Sequence, residues 1–126
     1  MHAAPMILVV EDHVIMRRLV RVTLEEAGYR VCDAGTGREA LACVEAHTPA
    51  LILQDLHLPD MDGVELVRTL RGMPVCKSIP IFALSGMHSK LEETRPLRAG
   101  FDDYLLKPIS RADLLSLVAA SLAPVG

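Results

Sequence analysis

Short runs of apolar residues, each closed by a polar one, alternate along this chain with stretches of helical periodicity. The clearest runs are Met6–Val10, Leu51–Leu53 and Ile79–Leu84, with weaker ones at Tyr29–Cys32 and Asp103–Leu106. From Val14 to Ala27, Met16, Val20, Leu24 and Ala27 recur at helical spacing, while Arg17, Arg21 and Glu25 take another face. Gly28 then stops that helix. Thr36–Ala46 carries Ala40, Leu41 and Val44, and Val64–Leu70 carries Val64, Val67 and Leu70 with Asp62 placed to cap its start. Ser110–Leu122 opens with Ser110 and Asp113 in capping-box spacing. The remaining helical stretch, His88–Arg98, contains Pro96, which removes a backbone donor and predicts a short, kinked or early-ending helix. Five strands thus alternate with five helices. Apolar strands joined by helices require a parallel sheet covered on both faces. Right-handed crossovers make it a doubly wound α/β domain.

In such a sheet, sites form beyond the carboxyl ends of the strands, where the strand order reverses. Glu11 and Asp12 follow the first strand, Asp55 the third, Ser85 the fourth, and Lys107-Pro108 the fifth. Three carboxylates brought to one sheet edge repel one another, and burial raises their proton affinity. A hard divalent cation relieves that repulsion, and Mg2+ takes oxygen ligands and commonly shares its site with a phosphate. A lysine and a hydroxyl complete a set suited to phosphoryl transfer, which depends on positioning and charge neutralisation. An Asp carboxylate can itself be the nucleophile and form an aspartyl-phosphate.

Four fragments, in order and at strand ends, carry a resemblance: Val9-Val10-Glu11-Asp12-His13, Leu56-His57-Leu58-Pro59-Asp60-Met61-Asp62-Gly63, Ala83-Leu84-Ser85-Gly86 and Asp103-Tyr104-Leu105-Leu106-Lys107-Pro108. Together they resemble the receiver domain of bacterial response regulators over about Met6–Leu122. The resemblance implies a flavodoxin-like receiver fold, a single receiver domain over 1–126, and a switch rather than a turnover enzyme. It implies that Asp55 accepts phosphoryl from a phosphohistidine on a kinase or phosphotransfer partner. Asp12 then binds Mg2+ directly, Glu11 through water, and the His57 backbone carbonyl is a further ligand. It further implies that Ser85 and Lys107 meet the phosphate and that Tyr104 is the switch aromatic. Pro108 follows a peptide bond that is cis in the family. Kinase docking falls on the start of the first helix, at His13, Ile15, Met16 and Leu19, together with Pro108; Met16 and Leu19 read equally well as core. His57 and Met87 stand where family members control water access to the phospho-Asp, and their bulk is expected to slow autodephosphorylation.

Each residue has a plainer reading. Asp12 alone reads equally as the cap of the first helix. Asp60 and Asp62 suit the turn and the following cap better than a metal. Ser85-Gly86 is ordinary turn composition, Lys107 alone a solvated lysine, and Tyr104 alone a half-buried strand aromatic. The His57 side chain reads first as a solvent-facing loop residue. Two rival functions are weaker. An aspartyl-phosphate phosphohydrolase usually needs a second Asp where His57 stands, and a flavin-phosphate binder needs a Ser/Thr/Gly-rich loop where Glu11-Asp12-His13 stand.

Composition narrows the field. With 126 residues and a net charge of -3, the chain fits one domain and offers no electrostatic footprint for nucleic acid. Three cysteines, Cys32, Cys43 and Cys76, without ligand spacing read as small hydrophobes in a reducing compartment. The five histidines lack paired spacing for zinc or iron. No apolar run approaches the ~20 residues that span a bilayer, and Met1–Pro5 lacks a basic leader, so the cytoplasm and no membrane contact are expected. No DNA-binding helix-turn-helix follows Leu122, which leaves two readings: a stand-alone regulator or a receiver from a longer protein.

Overall fold

The computed structural model describes residues 4–86 and 99–122. The chain runs β1 (Met6–Val10), α1 (Val14–Glu26), β2 (Arg30–Ala34), α2 (Gly37–Ala46), β3 (Leu51–Asp55), α3 (Gly63–Arg71), a 3-10 turn (Pro74–Cys76), β4 (Ile81–Ser85), β5 (Asp103–Leu106) and the C-terminal helix α4 (Arg111–Leu122). The helix expected over His88–Arg98, with its Pro96, lies outside the described residues, as does Met87.

All five strands are parallel, in the order β2-β1-β3-β4-β5. This is the doubly wound, flavodoxin-like order, and it reverses between β1 and β3. Alternate residues of each strand feed two cores. Leu8, Val10, Ile52, Ile81 and Ala83 pack with Ala40, Val44, Leu66, Val67 and Leu70 of α2 and α3. On the other face, Ile7, Val9, Leu51, Leu53, Phe82 and Leu84 pack with Val20, Leu24, Leu114 and Val118 of α1 and α4. Burial of large aliphatic side chains at ~1.5–3 kcal/mol each drives this sandwich. Strand β3, third of five, is buried along its whole length.

The helix ends follow from their local sequence. Gly28 adopts φ +98, the left-handed conformation that ends α1 cheaply only for glycine. Thr36 caps α2 through its hydroxyl, which accepts from the Glu39 amide. Asp62 caps α3 by accepting from the Val64 amide at 2.8 Å, as its placement predicts. The Ser110 hydroxyl accepts from the Asp113 amide. The cap of α1, however, is His13 rather than Asp12: its Nδ1 accepts from the Met16 amide. Asp12 is thereby left to the site.

Arg71, at the end of α3, fastens the opposite edge of the sheet. Its guanidinium donates to the carbonyls of Gly100, Cys76, Lys77 and Ile79, and to the Asp102 carboxylate at 2.6 Å. That carboxylate also accepts from the Ile81 amide where β4 begins.

The acidic pocket at the strand-order reversal

Strands β1 and β3 end side by side, so Glu11 and Asp12 leave the sheet beside Asp55. Oxygen atoms of these three carboxylates lie within 4.8 Å of one another. Glu11 is 0% exposed and Asp55 5%, whereas Asp12 faces solvent. Lys107, brought in from the end of β5, places Nζ 2.5 Å from Glu11 Oε1 and 3.2 Å from Asp55 Oδ2. The His57 amide donates to Asp55 Oδ1 at 3.1 Å, and the His13 amide to Glu11 Oε2 at 3.2 Å. Glu11 Oε1 lies against the Lys107 ammonium, outside strict hydrogen-bonding geometry.

Two buried carboxylates thus share one lysine, and they share it unequally. Burial, reinforced by the neighbouring Asp55, pushes the Glu11 carboxyl up to about 7. Burial also opposes ionisation of Asp55. The hydrogen bond from Glu11, the His57 amide and Lys107 overcome it and hold Asp55 below the usual carboxylate range. Lys107 is held above its ordinary value: burial works against its charge, and the two carboxylates outweigh burial. The pocket accordingly carries an ionised Asp55, an ammonium and a proton held by Glu11 near neutrality. Its three carboxylates form an oxygen-donor set able to hold a divalent cation, which would take the place of that proton.

The other expected residues are placed as follows. Ser85 is buried at the end of β4; its hydroxyl donates to the Gly86 carbonyl at 3.2 Å, and its carbonyl accepts from the Lys107 amide. The Lys107-Pro108 peptide bond is cis. Tyr104 is half-buried on β5 against the α2/α3 core. The His57 side chain is exposed. The expected docking residues of α1 divide: Met16 packs half-buried against the α1/α4 core, while Ile15 and Leu19 are 74% and 55% exposed.

Three features escape local sequence reading. Gln54, wholly buried before Asp55, donates through Nε2 to the Gly63 carbonyl at 2.7 Å. Gly63 is required there, because a Cβ would lie 2.7 Å from both the Asp55 and Leu56 carbonyl oxygens. Asp60 does more than shape its turn: it accepts from the amides of Gly37 and Arg38, at the start of α2, at 2.8 and 2.9 Å. Those amides hold its carboxyl below the usual range. Met61 lies against Gly37, leaving no room for a Cβ. Only the glycines gave a signal, and glycine alone does not name its neighbour.

Comparison with known proteins agrees with this geometry. The sequence profile described as "Response regulator receiver domain" matches residues 7–119. The chain belongs to the response regulator receiver family. An uncharacterized 14.6 kDa protein from Leptolyngbya boryana is 38% identical over 112 residues, covering 89% of this chain and 86% of that one. The transcriptional regulatory protein PhoP of Escherichia coli is 36% identical over 90% of this receiver domain, which spans 50% of PhoP. The chain spans about half the length of several such transcriptional regulators. Among solved structures, chemotaxis response regulator CheY4 of Vibrio cholerae superposes with TM-score 0.88 at 32% identity, covering 94% of this chain and 99% of CheY4. The receiver domain of sensor histidine kinase PA1611 from Pseudomonas aeruginosa, with a magnesium ion coordinated in its active-site cleft, gives TM-score 0.88 at 31% identity and covers 97% and 100%. The protein is therefore a phosphoacceptor receiver domain of the two-component type. Among the described residues, no helix is long and apolar enough to cross a membrane.

Proposed function

We propose that Asp55 is the phosphoacceptor of this receiver and that residues 1–126 act as one switch domain rather than a turnover enzyme. The observation that carries this reading is the Asp55 carboxylate, buried at the strand-order reversal and held by the His57 amide and Lys107 within 4.8 Å reach of Glu11 and Asp12. An Asp55 oxygen attacks the phosphorus of a phosphohistidine, the N–P bond breaks, and the imidazole leaves with the bonding pair. Lys107 takes a phosphoryl oxygen, and the Ser85 hydroxyl reorients from the Gly86 carbonyl to another. Mg2+ fits the donor set, which is entirely oxygen and gathers three carboxylates around a single lysine. Asp12, Asp55 and the His57 carbonyl would hold it directly, and Glu11 through water. When bound, it supplies positive charge to the phosphoryl oxygens during transfer.

The partner on the donor side is a histidine kinase or histidine phosphotransfer protein. Exposed Val14, Ile15 and Leu19 of α1, beside the pocket, with His13 and Pro108, form the docking face. On the output side, capture of Ser85 by the phosphate lets Tyr104 turn inward and changes the affinity of the β5 face for its partner, a population shift between two states. This role carries with it a cytoplasmic location and no direct contact with nucleic acid. Acetyl phosphate with Mg2+, followed by intact mass, tests the assignment. A single phosphoryl adduct on wild type, absent in Asp55→Asn, is expected; an adduct retained in Asp55→Asn would overturn it.

A further inference from the structure

The backbone that presents Glu11 and Asp12 is held from outside the pocket. After β1 the chain has left the sheet, and α1 begins only at Val14, so the connecting peptides have no ladder to fix them. The Glu11 amide donates to the Ala34 carbonyl at 2.9 Å, which anchors one side of the residue to the end of β2. The Glu11 carbonyl accepts from Arg17 Nη1 at 3.0 Å. This carbonyl belongs to the Glu11–Asp12 peptide, whose plane determines where the Asp12 side chain projects.

Arg17 is itself fixed. Its amide donates to the His13 carbonyl at 2.9 Å, and its Nε lies 3.4 Å from Asp33 Oδ2 on β2. Arg21 takes the other oxygen of Asp33 at 2.9 Å. The Nη1 end of the Arg17 guanidinium occupies the place that a Cβ on Gly35 would take. One planar group therefore joins the loop after β1 to β2, using two nitrogens of a rigid fork. Lysine, a point charge on a flexible stem, lacks the planar fork that fixes these two contacts relative to each other.

Resting on the reading of the pocket as a Mg2+-assisted phosphoacceptor site, we propose that Arg17 is its positioning residue: its guanidinium, held by Asp33 and seated on Gly35, locks the Glu11–Asp12 peptide so that Asp12 meets the cation. Two effects of removing Arg17 have opposite signs. Deleting a positive charge near a cation site favours the cation, whereas releasing the Glu11–Asp12 peptide disfavours it. Loss of an outer-sphere partner typically weakens metal binding by about 10- to 100-fold.

The sign of the change decides between them. Mg2+ affinity is measured by titration calorimetry on wild type, Arg17→Met, Arg17→Lys and Gly35→Ala, each verified as folded by circular dichroism. About tenfold weaker binding is expected in both Arg17 variants, with no rescue by lysine although its charge is kept. Gly35→Ala displaces the guanidinium without altering charge or any carboxylate, and weaker binding is expected there too; it carries the test if Arg17→Met does not fold. Equal or tighter Mg2+ binding in Arg17→Met, or full affinity in Arg17→Lys, overturns the positioning role while leaving the phosphoacceptor reading intact. A wild-type protein that takes up no Mg2+ removes both.

Discussion

Glu11→Gln should stabilise this protein above neutral pH and leave it nearly unchanged at pH 5. Glu11 is wholly buried, and its carboxyl sits at about 7 against an ordinary 4.5. Between those values the native state binds a proton that the unfolded chain has released, so stability falls as pH rises through this window. Asp55 works the other way, since its lowered carboxyl contributes stability that is complete above its unfolded value of 3.8 and is lost only on acidification. Lys107 is raised from 10.5, and its contribution is lost only at still higher pH. Neither group changes charge between pH 5 and 8, which isolates Glu11. The ceiling on the loss is about 3 kcal/mol, or roughly 10 °C in melting temperature for a domain of this size. Glutamine keeps the shape and the hydrogen-bonding capacity of the protonated acid and has no proton to lose. Urea unfolding across pH 5–8 in chelator should therefore show wild type falling below Glu11→Gln by about 2–3 kcal/mol at pH 8. Histidine contributions are common to both proteins and cancel in the difference. Saturating Mg2+ should close most of the gap, because the cation replaces the proton. Parallel pH profiles for the two proteins would refute the reasoning.

Other substitutions test other parts of the fold. Gly63→Ala drives a methyl group into the Asp55 and Leu56 carbonyls; a loss of about 2 kcal/mol in urea unfolding is expected, with slower phosphorylation by acetyl phosphate, and a fully active, undiminished protein would contradict it. Arg71→Met removes a charged donor from four carbonyls and Asp102; about 3 kcal/mol should be lost, with Mg2+ affinity unchanged, and a loss below ~1 kcal/mol would show the staple to be idle. His57→Ala opens the rim beside Asp55, and phospho-protein should lose phosphate faster than wild type when followed by intact mass. An unchanged decay rate rejects a shielding role.

The strands and helices were legible because their apolar period is strong. Met6–Val10 and Asp103–Leu106 coincide with β1 and β5. The run at Leu51 reads as closing at Leu53 because Gln54 and Asp55 are polar, yet both belong to β3 and are buried. Their burial comes from position: β3 has β1 on one side and β4 on the other. Similarly, β2 extends past Cys32 through Asp33, whose charge is met by Arg17 and Arg21 of α1. In each case a polar residue sits in a strand because its partner lies far along the sequence. The candidate site was legible for the opposite reason: Glu11, Asp12, Asp55, Ser85 and Lys107 stand at the ends of strands that the topology brings to one edge. What stayed hidden was the scaffolding behind them, namely Arg17 on the Glu11 carbonyl, Gln54 on Gly63 and Asp60 on α2. These contacts run from side chains to backbone, and a backbone carbonyl or amide has no residue identity to read.

The grip of Asp60 on the first amides of α2, with Met61 filling the place of a Cβ on Gly37, means that residues 56–62 are not an interchangeable cassette. A chimera that transplants this loop into another scaffold must bring a glycine at the head of the recipient's second helix. A transplanted α2 keeps its seat only where the recipient's loop offers a carboxylate to its first two amides. Asp60 and the amides it holds stand 22–23 residues apart in sequence, so a change in either segment is felt in the other.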